Sequence, residues 1–146
     1  MLHTPDSFTS NIYLIGPDTG KFLLVDTGLY AHYLTNAMQD AKIPLRIEKI
    51  VLTHSHIDHI GGLHKLVEET SADVCVHREE ASYIEIGDKK ATAADLFSLP
   101  LQGTPVTERL KEGDIIQWDE FVFEVLHTPG HTCGSICLYE KNKRIL

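Results

Sequence analysis

The stretch THSHIDHIGG, residues 53–62, places three histidines and one aspartate within six residues. An apolar run at residues 50–52 precedes them, and two glycines follow. Imidazole and carboxylate groups are common ligands of zinc in proteins. If the backbone stays extended, His54 and His56 project to the same side and can bind one ion, because side chains alternate along a strand. The stretch therefore predicts a metal-binding turn between a buried strand and a helix.

The composition limits the classes of function. The chain has 146 residues, of which 42% are hydrophobic and 23% charged, as in one soluble globular domain. A formal net charge of −8 argues against a nucleic-acid partner, because phosphate binding requires basic patches. No apolar run reaches the roughly 18 residues of a membrane span, and residues 1–10 lack a signal-peptide pattern. We therefore expect a cytoplasmic protein that binds no membrane, with reduced cysteines in or near its core.

Predicted strands and helices alternate along the first half of the chain. This order predicts βαβ units and a mixed α/β sheet. The elements are two strands joined by a turn (residues 11–28, turning at Gly16–Gly20), a helix (30–41), a strand (47–54), a helix (62–70) and a strand (72–77). Residues 79–86 and 91–99 are candidates for short helices. Residues 114–128 predict a hairpin that turns at Asp119 and Glu120, and residues 135–146 a strand, a charged turn and the start of a returning strand.

Polar side chains follow several of these predicted strands. Asp26, His54, His56 and His131 all fall at strand ends, where α/β sheets gather their functional groups. The three histidines supply three nitrogens, and a catalytic zinc ion keeps its fourth position open. Each residue alone has an ordinary structural explanation; Asp58, for example, could cap the following helix. Taken together they favour a metal site.

THSHIDHIGG resembles the HxHxDH signature of the metallo-β-lactamase superfamily, of which glyoxalase II-like thioesterases are similar variants. NIYLI, VDTG, EGDII and HTPGHTCGS follow the same family in order. The resemblance implies an α/β fold, an αββα sandwich of mixed sheets, with residues 1–146 as one domain. It also implies the site residues, which are a first metal site at His54, His56 and His131, a second at Asp58 and His59, and Asp26 orienting the ligands.

The family pattern also has a bridging aspartate and a final histidine, both beyond the segment that matches residues 135–146. We therefore expect this chain to be the N-terminal, incomplete portion of the domain. With only Asp58 and His59 left for the second site, we expect at most one tightly held metal ion, because ligand number governs affinity. We also expect possible self-association through the incomplete sheet.

The resemblance implies a hydrolase that uses a zinc-bound hydroxide on a small ester-like substrate, most plausibly a thioester. Asp58 would be the catalytic residue that positions the nucleophile and accepts its proton. Two alternatives stay open: a mononuclear non-haem iron enzyme similar to persulfide dioxygenases, and a metal-binding module without activity. His77, which ends a strand on the same side, is expected to play at most a supporting role, and His127 none.

Overall fold

Two β-sheets packed face to face form the centre of the molecule. The fold is that of a computed structural model, which describes residues 10–17 and 20–143. A five-stranded sheet has the order β1-β2-β3-β4-β5, and a three-stranded sheet the order β6-β7-β8. The elements are β1 (Tyr13–Ile15), β2 (Phe22–Val25), α1 (Ala31–Asp40), β3 (Ile47–Val51), α2 (Ile57–Ile60), α3 (Leu63–Thr70), β4 (Asp73–His77), α4 (Ala81–Ile86), β5 (Glu108–Leu110), β6 (Ile115–Trp118), β7 (Phe121–His127) and β8 (Ile136–Glu140).

The first sheet is mixed, as the sequence predicts. β1 runs antiparallel to β2, whereas β2, β3, β4 and β5 are mutually parallel. Parallel neighbours need a crossover connection, and the helices supply it. α1 connects β2 to β3, α2 and α3 connect β3 to β4, and α4 lies between β4 and β5. The parallel strands therefore point their carboxyl ends to one edge of the sheet.

Alternation along the strands creates two hydrophobic cores. Leu24 of β2 faces a core shared with the helices, whereas its neighbours Leu23 and Val25 face the second sheet. The helix-side core also contains Leu34 of α1 and Leu66 of α3, both almost fully buried. The two faces of one sheet are thus covered by helices and by a second sheet, which explains its continuous apolar strands.

The second sheet is antiparallel throughout its described strands. β6 and β7 form the predicted hairpin, which turns at Asp119 and Glu120, and Asp119 adopts the left-handed conformation such turns require (φ 51°). β8 pairs with β7, with His127 opposite Ile136. This arrangement confirms the predicted α/β fold of packed sheets. The predicted returning strand after β8, and Asp18 of the first turn, lie outside the described residues.

The strand that precedes the histidines ends earlier than the sequence predicts. β3 ends at Val51, not at His54, so the two histidines do not continue an extended strand. The cause is Asp26, whose left-handed backbone (φ 59°) turns the neighbouring chain away from β3. The Thr53 N–H donates to the Asp26 carboxylate (2.8 Å) instead of to a neighbouring strand.

Three further features differ from what the sequence indicates. Residues 91–99 form turns and no helix, because Ala93 and Ser98 take left-handed φ values. β5 was not predicted, since its three residues, Glu-Arg-Leu, carry a single apolar side chain. Cys133 is exposed, although Cys75 is buried as expected and the three cysteines are free.

No helix in the described part of the chain is long and apolar enough to cross a membrane.

Candidate metal centre

Three histidine side chains from two loops converge at one edge of the sandwich. His54 and His56 lie on the loop after β3, and His131 lies on the loop between β7 and β8. Candidate ligand atoms of the three residues all lie within 4.8 Å of one another. The ring planes meet at 75–87°, with centroids 4.5–4.9 Å apart. Because a nitrogen lone pair lies in its ring plane, rings at such angles can direct three lone pairs at one point.

The spacing of the nitrogens fits a small divalent ion. His56 Nδ1 and His131 Nε2 are 2.9 Å apart. Nitrogens bound tetrahedrally to zinc are about 3.4 Å apart, given Zn–N distances of about 2.0–2.1 Å. A shift of about half an ångström therefore opens the cluster enough to admit zinc at its usual bond lengths.

One buried nitrogen in the cluster lacks a partner. His54 Nε2 is buried and accepts or donates no hydrogen bond among the described residues. On the other side of the same ring, Nδ1 lies 3.2 Å from the Thr53 hydroxyl. A buried polar atom without a partner costs free energy, so an ion bound to Nε2 would satisfy it. The residues present therefore fit a metal ion.

The surroundings of His54 and His56 favour the neutral imidazole, which is the form that binds metal. Burial is the main cause that lowers the pKa of His54, to about 4, and the neighbouring His59 lowers it further. Burial also lowers the pKa of His56, assisted by His131. At neutral pH the imidazoles of His54 and His56 therefore carry no extra proton that an ion would have to displace.

Two glycines let the histidine turn approach the loop after β2. A Cβ atom at Gly61 would lie 2.2 Å from the Leu29 carbonyl oxygen, and one at Gly62 would lie 2.9 Å from the Thr27 carbonyl oxygen. Real Cβ atoms essentially never come this close to a neighbour. The Gly62 N–H donates to the Gly28 carbonyl (3.1 Å), which binds the two loops together. The glycine pair therefore allows the histidine turn to lie directly against the loop after β2.

The second pair of predicted ligands lies beside the first cluster. The ring centroid of His59 is 4.0 Å from that of His54. His59 Nδ1 lies 2.7 Å from an Asp26 carboxylate oxygen, and Nε2 lies 3.5 Å from the Asp58 carboxylate. Asp58 and His59 belong to the one-turn helix α2, in which Ile57 and Ile60 are the buried residues. The structure thus brings all five predicted ligands together, and their roles as ligands remain predictions.

Asp26 forms the link between this pair and the loop that carries His54. One carboxylate oxygen accepts the Thr53 N–H (2.8 Å), and the other accepts the Thr53 hydroxyl (2.7 Å) and contacts His59. In His59, burial would lower the pKa, but the hydrogen bond and charge of Asp26 outweigh it, and the pKa is raised. With Nδ1 directed at Asp26, Nε2 is the nitrogen that His59 presents to the site. Whether Asp26 orients metal ligands in this way stays a prediction.

Glu80 is a buried site residue that the sequence analysis missed. Its carboxylate accepts hydrogen bonds from the Ser55 N–H (2.6 Å) and the Gly134 N–H (2.8 Å). It lies three residues after His77, at the N-terminal end of α4. The sequence carries little signal for it, because Glu79 and Glu80 follow β4 as a charged pair that is typical of a solvated turn.

His77 and His127 form a second close pair away from the cluster. Their rings stack 4.0 Å apart at 16°, with Glu79 close enough to offer a third ligand atom. Nearly parallel rings keep their lone pairs in parallel planes about as far apart as the ring centroids, which favours convergence on one ion less than the angles of the first cluster do. His127 Nε2 instead bonds to the Cys133 carbonyl (2.9 Å) and holds the loop that carries His131.

Comparison with known proteins agrees with this geometry. The family model for the metallo-beta-lactamase superfamily matches residues 5–146. A hydroxyacylglutathione hydrolase, GloC of Haemophilus influenzae, is 29% identical over 141 residues, which cover 95% of this chain and 65% of that protein. The human acyl-coenzyme A thioesterase MBLAC2 is 31% identical over 165 residues, covering 94% of this chain and 56% of the relative. The chain thus spans less than two thirds of the length of these relatives.

Solved structures show the same fold. The BLEG-1 B3 metallo-beta-lactamase superposes with a TM-score of 0.81 and 26% identity, covering 94% of this chain and 65% of that one. TTHA1623 in a di-iron-bound form gives a TM-score of 0.75 at 29% identity, covering 98% and 68%. The family match runs over nearly the whole chain and includes every histidine of the converging cluster. By sequence and by fold, the chain belongs to the metallo-β-lactamase superfamily.

Proposed function

We propose that the protein takes part in metal-dependent hydrolysis of a small thioester, with zinc as the metal. The observation that carries the proposal is the convergence of His54, His56 and His131, with the buried His54 Nε2 left without a partner. Two relatives, a hydroxyacylglutathione hydrolase and an acyl-coenzyme A thioesterase, support the substrate class.

When bound, a zinc ion lowers the pKa of a coordinated water to about 7 and polarises a carbonyl group. The protein residues supply the rest of the chemistry. His54, His56 and His131 would hold the ion on one side and leave its other side facing solvent, because His131 is exposed. Asp58, whose side chain is 40% exposed, would orient the attacking water and accept its proton. His59, fixed by Asp26, and Asp58 would offer a second ion only two ligands and hold it weakly.

Iron is a second candidate for the metal. A structure 29% identical to this chain is described in a di-iron-bound form. Imidazole and carboxylate ligands suit iron as well as zinc, so the protein residues alone do not choose between them. Metal analysis of the protein purified without added metal, by mass spectrometry, identifies the ion it carries.

The experiment that tests the proposal replaces one ligand. His56→Ala should abolish tight zinc binding, measured by competition with a chromophoric chelator, because two nitrogens cannot replace three. His32→Ala, on the exposed face of α1, is the matched control and should leave the affinity unchanged. Zinc-dependent hydrolysis of hydroxyacylglutathione and acyl-coenzyme A thioesters should disappear in parallel. Equal zinc affinity in His56→Ala and the unaltered protein would contradict the metal assignment.

A further inference from the structure

The carboxylate of Glu80 lies behind the histidine cluster and contacts both loops that supply it. One oxygen accepts the N–H of Ser55, the residue between His54 and His56, at 2.6 Å. The other oxygen accepts the N–H of Gly134, three residues after His131, at 2.8 Å. A single side chain thus joins the loop after β3 to the loop before β8.

Glu80 is buried as a charge without a cationic partner. Its exposed fraction is 0%, and none of the ion pairs found in residues 10–17 and 20–143 includes it. Burial acts to raise the pKa of this carboxyl, but hydrogen bonds from Thr132, Ser55 and Gly134 outweigh it and lower the pKa. Several donors to one carboxylate are what an isolated buried charge requires. The donors come from the two metal-site loops, so the charge is tolerated only while both loops are in place.

Packing restricts Glu80 as tightly as hydrogen bonding does. A Cβ atom at position 134 would lie 2.7 Å from Glu80 Cγ and 3.1 Å from its carboxyl carbon. Glycine at 134 therefore lets the loop backbone lie directly against the side chain. A second direct link between the same loops is the hydrogen bond from the Ile136 N–H to the Thr53 carbonyl (2.9 Å). Glu80 adds a link through Ser55, which lies next to His56, and through Gly134.

We propose that Glu80 is a positioning residue, which fixes the loop of His54 and His56 relative to the loop of His131 so that their nitrogens converge on one ion. The inference rests on the proposed metal-dependent function. His54 and His56 are held through the Ser55 peptide group between them, and His131 through the turn at residues 132–134. Without Glu80 the two loops would be joined mainly through the Ile136–Thr53 hydrogen bond, and an ion would have to order the rest when it binds.

The substitution Glu80→Gln tests the proposal with little change in volume. A glutamine amide has one acceptor oxygen and one NH₂ group. Only one of the N–H groups of Ser55 and Gly134 can then donate to it, and the other faces the NH₂ group and loses its hydrogen bond. We expect zinc affinity to fall by about 10–100-fold, the usual cost of losing a group that orients metal ligands. Glu124→Gln, an exposed carboxylate on β7, is the matched control and should bind zinc as the unaltered protein does. Competition with a chromophoric chelator measures both affinities.

A second variant perturbs the same contact from the other side. Gly134→Ala keeps the carboxylate but displaces it, and we expect a similar loss of affinity. Both changes act on the same contact. The double variant should therefore lose about as much zinc affinity as the more affected single variant, and less than the two single losses multiplied together. Visible absorption of the Co²⁺-substituted protein reports ligand geometry independently, and its bands should shift in both single variants.

Three outcomes would overturn the inference, and they are distinguishable. If Glu80→Gln binds zinc normally and His56→Ala does not, the metal site is supported but Glu80 has no role in it. A lower unfolding midpoint of the metal-free protein with unchanged zinc affinity and Co²⁺ bands would show that Glu80 only stabilises the fold. Failure of the unaltered protein to bind zinc or Co²⁺ at all would overturn the proposed function and, with it, this inference.

Discussion

Asp26→Asn should separate the contribution of charge from that of shape at the centre of the site. Asparagine has nearly the same volume and tolerates the left-handed backbone (φ 59°) that Asp26 adopts. It keeps one acceptor oxygen for Thr53 but replaces the oxygen that contacts His59 with an amide donor. His59 would then have to accept through Nδ1 and carry its proton on Nε2, the nitrogen that faces the candidate metal position.

The size of the effect follows from the contacts that are lost. Asp26 is 3% exposed, and its oxygen lies 2.7 Å from His59 Nδ1, so the bond is poorly screened. A hydrogen bond to a charged group contributes about 1.5–3 kcal/mol, and protonated His59 adds its own charge to the bond with the Asp26 carboxylate. Because Asp26 raises the pKa of His59 despite burial, its stabilisation is complete below the ordinary pKa of 6.5. That stabilisation is lost as the pH rises through the raised pKa.

We therefore expect Asp26→Asn to cost about 1.5–3 kcal/mol at pH 6, and less at higher pH as His59 loses its proton. Urea denaturation of the metal-free protein at pH 6 and pH 8 measures the free energy of unfolding. Histidine proton resonances followed by NMR should show the pKa of His59 falling in the variant. Asp73→Asn, at the exposed start of β4, is the control and should change neither quantity. A cost that is equal at the two pH values, or larger at pH 8, would refute the assigned ion pair.

Two further predictions concern packing and thiol chemistry. Gly61→Ala should lower the free energy of unfolding by about 1–3 kcal/mol in urea denaturation, because its Cβ would meet the Leu29 carbonyl at 2.2 Å; wild-type stability would contradict the close approach. Cys133, which is exposed, should react with a thiol reagent at pH 8, whereas Cys75, whose pKa burial raises to about 12, should react only after unfolding. Rapid labelling of Cys75 in the folded protein would contradict its burial.

The local parts of the site could be predicted from the sequence, because they depend on short-range patterns. The apolar run before His54 marks β3, and the glycine pair after His59 marks the close turn. The exact end of β3 could not be predicted in this way. It depends on Asp26, which is 27 residues from the Thr53 that it contacts and whose left-handed backbone no periodicity indicates.

Glu80 escaped prediction for a related reason. A glutamate after a strand is usually solvated, and only the packing of two distant loops makes this one buried. Its partners Ser55 and Gly134 are 25 and 54 residues away. The fold class, in contrast, followed from the alternation of apolar strands with amphipathic helices, a pattern that each segment carries by itself.

The histidine cluster can form only after the ribosome has synthesised residues that are far apart in the chain. His56 and His131 are 75 residues apart, on loops connected to different sheets. A ribosome adding about 5–20 residues per second needs roughly 4–15 s to pass from one to the other. Throughout that interval the nascent chain displays two imidazoles, and the third that would complete an ion's ligands has not been made. If the three histidines bind an ion as proposed, they could do so together only after both sheets have formed and packed.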